Sequence, residues 1–199
     1  MPRRYQMSAR ATRVQQTHQR IVQAARALHA EQGILGTNYE EIAQRAGTAP
    51  ATVYRHFPSL DDLLPACARS IRVLQPLTPE QAAEQFRGLS QPAQRVEVLV
   101  RGTCECYERD HGWLQAAHQE ADLLPTLQEM VQTQRESLRL LVRTALAGAN
   151  VPERTVQVVA ALTDFPVWKS LREAGLTPTE AADQILELVY DQLTKAGVL

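Results

Sequence analysis

Between Pro50 and His56 the chain carries a hydroxyl on Thr52, a phenol on Tyr54, a guanidinium on Arg55 and an imidazole on His56. Each can donate a hydrogen bond to a phosphate oxygen, and donors of these kinds make most protein contacts with a nucleic-acid backbone. Ala51 and the methyl of Thr52 add apolar surface of the sort that meets a thymine methyl. Pro50 brings no donor, so sequence discrimination by this segment is expected to lean on apolar contact and duplex shape. The same residues also have plainer uses: Tyr54 as a rim aromatic packed on the first helix, Arg55 as a solvated surface charge.

Such a set works only if an element presents it, and residues 37–57, TNYEEIAQRAGTAPATVYRHF, describe one. Asn38 is a good N-cap, and Glu41 three residues later can close a capping box. Ile42, Ala43 and Ala46 share one apolar face at helical spacing. Gly47 follows where a chain leaving a helix often turns left-handed. Pro50 suits the first turn of a second helix, since its missing N–H would have no partner there. Val53 and Phe57, four apart, point that helix inward. Two short helices across one tight turn, the second polar and partly basic, predict a helix-turn-helix that enters the major groove of DNA.

Before this unit, Ile21, Ala24, Ala25 and Leu28 recur at three- and four-residue intervals and predict a helix over about 13–32, ended by Gly33 and Gly36. Residues 1–12 read as a mobile arm whose Arg3, Arg4 and Arg10 either follow phosphates and a minor groove or form a tail without DNA contact. After Pro58, Ser59 caps a fourth helix with Asp62 at the box position and Leu63, Leu64, Cys67 and Ile71 inside. Pro65 can bend this helix. The domain boundary is placed at 58/59, with residues 1–58 as arm and DNA-binding domain and 59–199 as a helical effector-binding and dimerisation domain.

Charge supports that division. Eight arginines face three glutamates over residues 1–57, so this end carries +5 and, with -1 overall, the remainder carries -6. A basic head on an acidic body suits a protein that touches DNA through one end. The 44% hydrophobic content is enough for a sizeable core. Three cysteines, an odd number on helical segments, suggest reduced thiols rather than a disulfide framework. With no apolar run near 18 residues and no signal-peptide pattern, a soluble cytoplasmic chain is expected.

Beyond the boundary the pattern stays helical, over about 79–88, 92–110, 113–121, 124–147, 153–173 and 178–195, with His111–Gly112 among the separators. Strand alternation is not sustained, and the fold is expected to be all-α with nine or ten helices. Pro166 falls inside the 153–173 pattern, where a kink is favoured over two separate helices.

At this point the residues carry a resemblance. Ile21, Ala24–Ala25, Leu28, Gly33, Thr37, Ile42–Ala43, Ala46–Gly47, Thr52–Val53–Tyr54, His56–Phe57 and Leu63 make the stretch 13–64 similar to the TetR family of bacterial transcriptional regulators. The resemblance implies a homodimer on a palindromic operator, acting as a repressor released by a small molecule. Thr37 and Thr48 then join Pro50, Ala51, Thr52, Tyr54, Arg55 and His56 as candidate DNA contacts. Three positions depart from the family pattern. Ala49 replaces a polar cap, Thr48 a hydrophobic residue, and Leu60, followed by Asp61 and Asp62, stands where a phosphate-holding lysine is common.

In the body, Thr103, Cys104, Tyr107, Trp113, His118, Leu138, Leu141, Phe165 and Trp168 mix apolar area with a few polar atoms, as an effector pocket or an ordinary wet-edged core would. Cys104, Cys106, His111 and His118 invite a metal, but residues two apart on a helix diverge by about 200°, so no metal and no cofactor is expected. On the last helix Ile185, Leu188, Val189 and Gln192, with Val158, Val159 and Leu162 before it, form a broad face for a two-fold four-helix interface, or for the chain's own core. Two alternatives remain: a constitutive DNA binder without effector, and an enzyme using His118, Glu120, Asp122 and Asp164, for which no nucleophile–base spacing or phosphate loop speaks.

Overall fold

The structure, a computed structural model, describes residues 3–198, with side chains from residue 11 onward. The described residues are all-α: α1 (Arg3–Gln32), α2 (Tyr39–Ala46), α3 (Pro50–His56), α4 (Leu60–Ala68), α5 (Pro79–Glu84), α6 (Pro92–Glu120), α7 (Pro125–Ala145), α8 (Glu153–Thr163), α9 (Phe165–Glu173) and α10 (Pro178–Lys195). They form two compact units. One joins the chain up to Ser70 with His111–Gln128; the other joins Ile71–Asp110 with Glu129–Leu199.

Local sequence rules shape the first unit. The Asn38 side chain accepts from the Glu41 amide at 2.9 Å, and the Glu41 carboxylate accepts from the Asn38 amide at 3.2 Å, so the expected capping box is complete. Gly47 leaves α2 at φ 62°, ψ 46°, the left-handed region. Ser59 and Asp62 cap α4 reciprocally in the same way. Ala49 is the N-cap of α3 and makes no side-chain cap bond, with Pro50 behind it in the first turn. Ile21, Ala25, Ile34, Ile42, Val53, Leu63 and Leu64 are essentially inaccessible and form this unit's core.

Three expectations need correction. The segment read as an arm is helical from Arg3, because nothing between Arg3 and Gln32 breaks a helix and arginine, glutamine, alanine and methionine favour one. The side chains of Arg3, Arg4 and Arg10 lie outside the described residues. His111–Gly112 does not interrupt α6, which runs unbroken to Glu120. A Cβ at position 112 would lie 2.9 Å from the Cβ of Ala30 and 3.1 Å from its carbonyl oxygen, so this glycine serves close packing of α6 on α1 rather than a break. At Pro166 the chain forms two helices instead of one kinked helix. Asp164 is extended (φ -72°, ψ 155°), its carboxylate accepts from the Phe165 amide at 2.8 Å, and Pro166 falls in the first turn of α9, where no N–H is needed.

In the second unit α10 packs on α8 and α9. Val96, Val100, Tyr107, Val142, Val159, Phe165, Ile185 and Leu193 are its most deeply buried side chains.

Candidate functional site

Helix α3 is seated by Val53 and Phe57, 0% and 3% exposed, which leaves its other faces outward. Pro50, Ala51, Tyr54 and Arg55 are exposed, and Thr48, Thr52 and His56 are half-buried. These side chains expected to meet DNA are therefore all at least partly accessible. Tyr54 keeps 51% of its area accessible while its ring rests on Tyr39, centroids 4.6 Å apart. The ring packs on α2 rather than on the first helix, and no protein group among the described residues holds the phenol. Arg55 reaches back to the Thr52 hydroxyl at 3.5 Å, a long contact that a phosphate can replace.

Thr37 behaves differently. Its hydroxyl donates to the Gly33 carbonyl at 2.8 Å and its amide to the Ile34 carbonyl at 3.2 Å, so both donors staple the α1–α2 loop. Its place in the sequence pattern has a structural cause, and only its lone pairs remain for other partners.

The sequence reading missed His18. Its ring lies 4.8 Å from that of Phe57 and 6.0 Å from that of His56, which puts two imidazoles beside the candidate DNA surface. A signal existed, since His18, Ile21 and Ala25 fall on one helical stripe. Burial first, then the neighbouring charges of His18 and Arg55, lower the pKa of His56 below its ordinary 6.5.

Glu120 was also missed in this role. At the end of α6, its two carboxylate oxygens accept from the Ile34 amide at 3.0 Å and the Leu35 amide at 2.8 Å. Nearby in the chain, Thr126 of α7 donates to Asp61 of α4 at 2.5 Å. Long-range pairs thus occupy Glu120 and Asp61, and their sequence neighbourhoods gave no hint of it. Glu120 holds backbone amides and Asp164 receives Gln134 at 3.1 Å and Arg135 at 3.3 Å, so both of these carboxylates of the enzyme alternative have structural partners. His118, Glu120 and Asp122 belong to the first unit, Asp164 to the second.

The second unit contains a cavity of about 440 Å³. Thr103, Tyr107, Leu138 and Leu141, four of the expected pocket residues, line it. Cys104 is buried elsewhere in the core, and Cys106 takes a place on the wall instead. Phe165 and Trp168 stand behind the wall, with ring centroids 5.4 and 5.9 Å from that of Tyr107. Trp113 and His118 belong to the first unit. The Tyr107 phenol donates to the Thr163 carbonyl at 3.2 Å and accepts from Gln134 at 3.4 Å, and complete burial drives its pKa well above 10. Among the described residues no group of three or more metal-binding side chains comes together.

Of the residues expected at a dimer interface, Val159, Ile185 and Val189 are fully buried within the chain. Leu188 remains 39% exposed, and Val158, Leu162 and Gln192 are half-buried. A partner helix would therefore meet Leu188 and its half-buried neighbours rather than the whole expected face. Among the described residues no helix is long and apolar enough to cross a membrane.

Comparison with known proteins agrees with this geometry. Residues 21–67 match the family model for bacterial regulatory proteins of the tetR family. The HTH-type transcriptional regulator BetI of Rhizobium meliloti is 28% identical over 165 residues, covering 79% of either chain. The HTH-type transcriptional repressor KstR2 of Mycobacterium tuberculosis is 22% identical over 193 residues, covering 89% of this chain and 93% of its own. Among solved structures, a transcriptional regulator from Rhodococcus sp. Rha1 superposes with a TM-score of 0.73 at 20% identity, covering 92% of this chain and 98% of that one.

Proposed function

We propose that this chain, whose residues 21–67 match the model for bacterial regulatory proteins of the tetR family, is a transcriptional regulator of that family, a ligand-released repressor that binds a palindromic operator as a homodimer. One observation carries the DNA part: a capped helix-turn-helix leaves Tyr54, Arg55 and His56 accessible on α3 while Val53 and Phe57 anchor that helix in the core. A single three-helix head reads only a few base pairs. Two heads related by a two-fold axis would read half-sites roughly 34–36 Å apart, one helical turn of DNA. The exposed Leu188 on α10 supports pairing through that helix.

The cavity supports effector control. Its volume lies within the roughly 300–1,000 Å³ typical of ligand pockets. An effector that binds one dimer conformation better than the other shifts the population toward it. A coupling of only about 1–3 kcal/mol changes operator affinity roughly 5–150-fold. KstR2 is named a repressor, and that name favours repression for this chain.

The test is selection of bound sequences from a random duplex pool by the purified protein at physiological salt. Enrichment of a palindrome with half-sites one turn apart is the expected result. Failure of a folded dimer to enrich any sequence would overturn the operator reading.

A further inference from the structure

The cavity wall is chemically uneven, and the unevenness points to a ligand class. Its buried lining joins the apolar Phe86, Leu99 and Leu138 to the polar side chains of Thr103, Tyr107 and Gln134. The charges that line it, on Arg72, Glu105 and Arg109, belong to residues accessible to solvent. Exposed charges beside buried apolar side chains offer an amphiphile one place for its head and another for its tail.

The three charges are not equivalent. Arg109 is held by the Asp110 carboxylate through two bonds of 2.6 and 2.9 Å. Glu105 lies four residues before Arg109 on α6, a spacing that makes them neighbours on the helix surface, but among the described residues no ion pair joins them. Arg72, from the 3-10 turn Arg72–Leu74, meets only the neutral amide oxygen of Gln85, at 3.4 Å. A guanidinium with so weak a partner retains donors in the fork geometry that fits a carboxylate bidentately.

Thr103 adds a hydrogen-bonding group to the cavity wall. Threonines within helices here commonly turn the hydroxyl onto the carbonyl four residues back, as Thr133, Thr144 and Thr163 do at 2.8–2.9 Å. Thr103 is 9% exposed, lines the cavity and has no such bond.

We propose that this cavity accepts an amphipathic monocarboxylate, with Arg72 as the counter-ion of the headgroup and Leu99, Leu138 and Leu141 around the tail. The inference rests on the effector reading of the cavity. Calorimetric titration of the full chain with three probes of equal tail, decanoate, decanol and decyltrimethylammonium, separates the two. Decanoate is expected to bind about tenfold more tightly than decanol, and Arg72→Gln to remove that advantage without altering decanol binding. Glu105→Gln is expected to tighten decanoate severalfold, an effect no merely structural role would produce. Leu141→Trp, which fills a half-buried position on the wall, is expected to abolish binding of both. Preference for the cation or indifference to charge would overturn the carboxylate and leave the cavity reading standing. Binding of decanoate that survives Leu141→Trp would place it elsewhere and overturn the proposal. Binding of none of the three would overturn both readings.

Discussion

The two compact units reach their functional surfaces by different routes. In the first, the candidate DNA-contacting residues sit on a seven-residue helix, and a cap, a left-handed glycine and two buried anchors a few residues away in sequence determine its direction. In the second, the cavity wall is assembled from segments dozens of residues apart, from Arg72 to Leu141, and no local signal marks which side chains it collects. A surface built locally can be read almost directly from sequence. One built by distant segments depends on how helices pack, and a helix shows on its face only that it is apolar, not what it meets.

The strongest way to break this contrast is through His29, a residue of the head whose behaviour is set by packing. It is 1% exposed, and neither ring nitrogen has a partner. Burial lowers its pKa from 6.5 to about 4. Between those values the unfolded chain takes up a proton that the folded chain refuses, so stability is complete above pH 6.5 and falls as pH drops toward 4. The loss approaches about 3 kcal/mol. Chemical denaturation across that range should show the slope, and His29→Leu should flatten it.

Two glycines sharpen the comparison within one unit. Gly112→Ala pushes a Cβ into the Ala30 backbone and is expected to cost about 1–3 kcal/mol, because neither helix can yield locally. Gly47→Ala strains one residue at φ 62° and is expected to cost about 1–2 kcal/mol. Thermal unfolding of both variants gives the order, and a larger loss at Gly47 would reverse the argument.

Effects on DNA are smaller in energy but more specific. Arg55→Ala should weaken operator binding about tenfold and reduce the salt slope by about one, the sign of a lost phosphate contact. Thr37→Val should cost about 1 kcal/mol of stability and leave the salt slope unchanged, since both Thr37 donors serve the loop. Operator titrations at several salt concentrations distinguish the two. A salt effect at Thr37 would return it to the DNA surface.

These contrasts account for what could be read in advance. The capping boxes at Asn38 and Ser59, the turn at Gly47 and the inward anchors Val53 and Phe57 follow from neighbours within four residues. The cavity was half legible. Thr103, Tyr107, Leu138 and Leu141 were anticipated, but Arg72, Glu105 and Arg109 were not singled out, and Trp113 and His118 fell in the other unit. Gly112 was misread because a glycine required by close helix packing looks in sequence like a glycine that ends a helix.

The linear chain alone determined the helical class, the helix-turn-helix and the identity of its exposed donors, because short-range hydrogen bonding and 3.6-residue periodicity govern all three. Only the tertiary structure decided that residues 111–128 pack with the head, that Glu120 grips the Ile34 and Leu35 amides, and which charges line the body cavity. Those outcomes depend on contacts between residues up to 86 positions apart. A side chain's local pattern shows which face of a helix it occupies; its partner is settled when another helix arrives to bury that face.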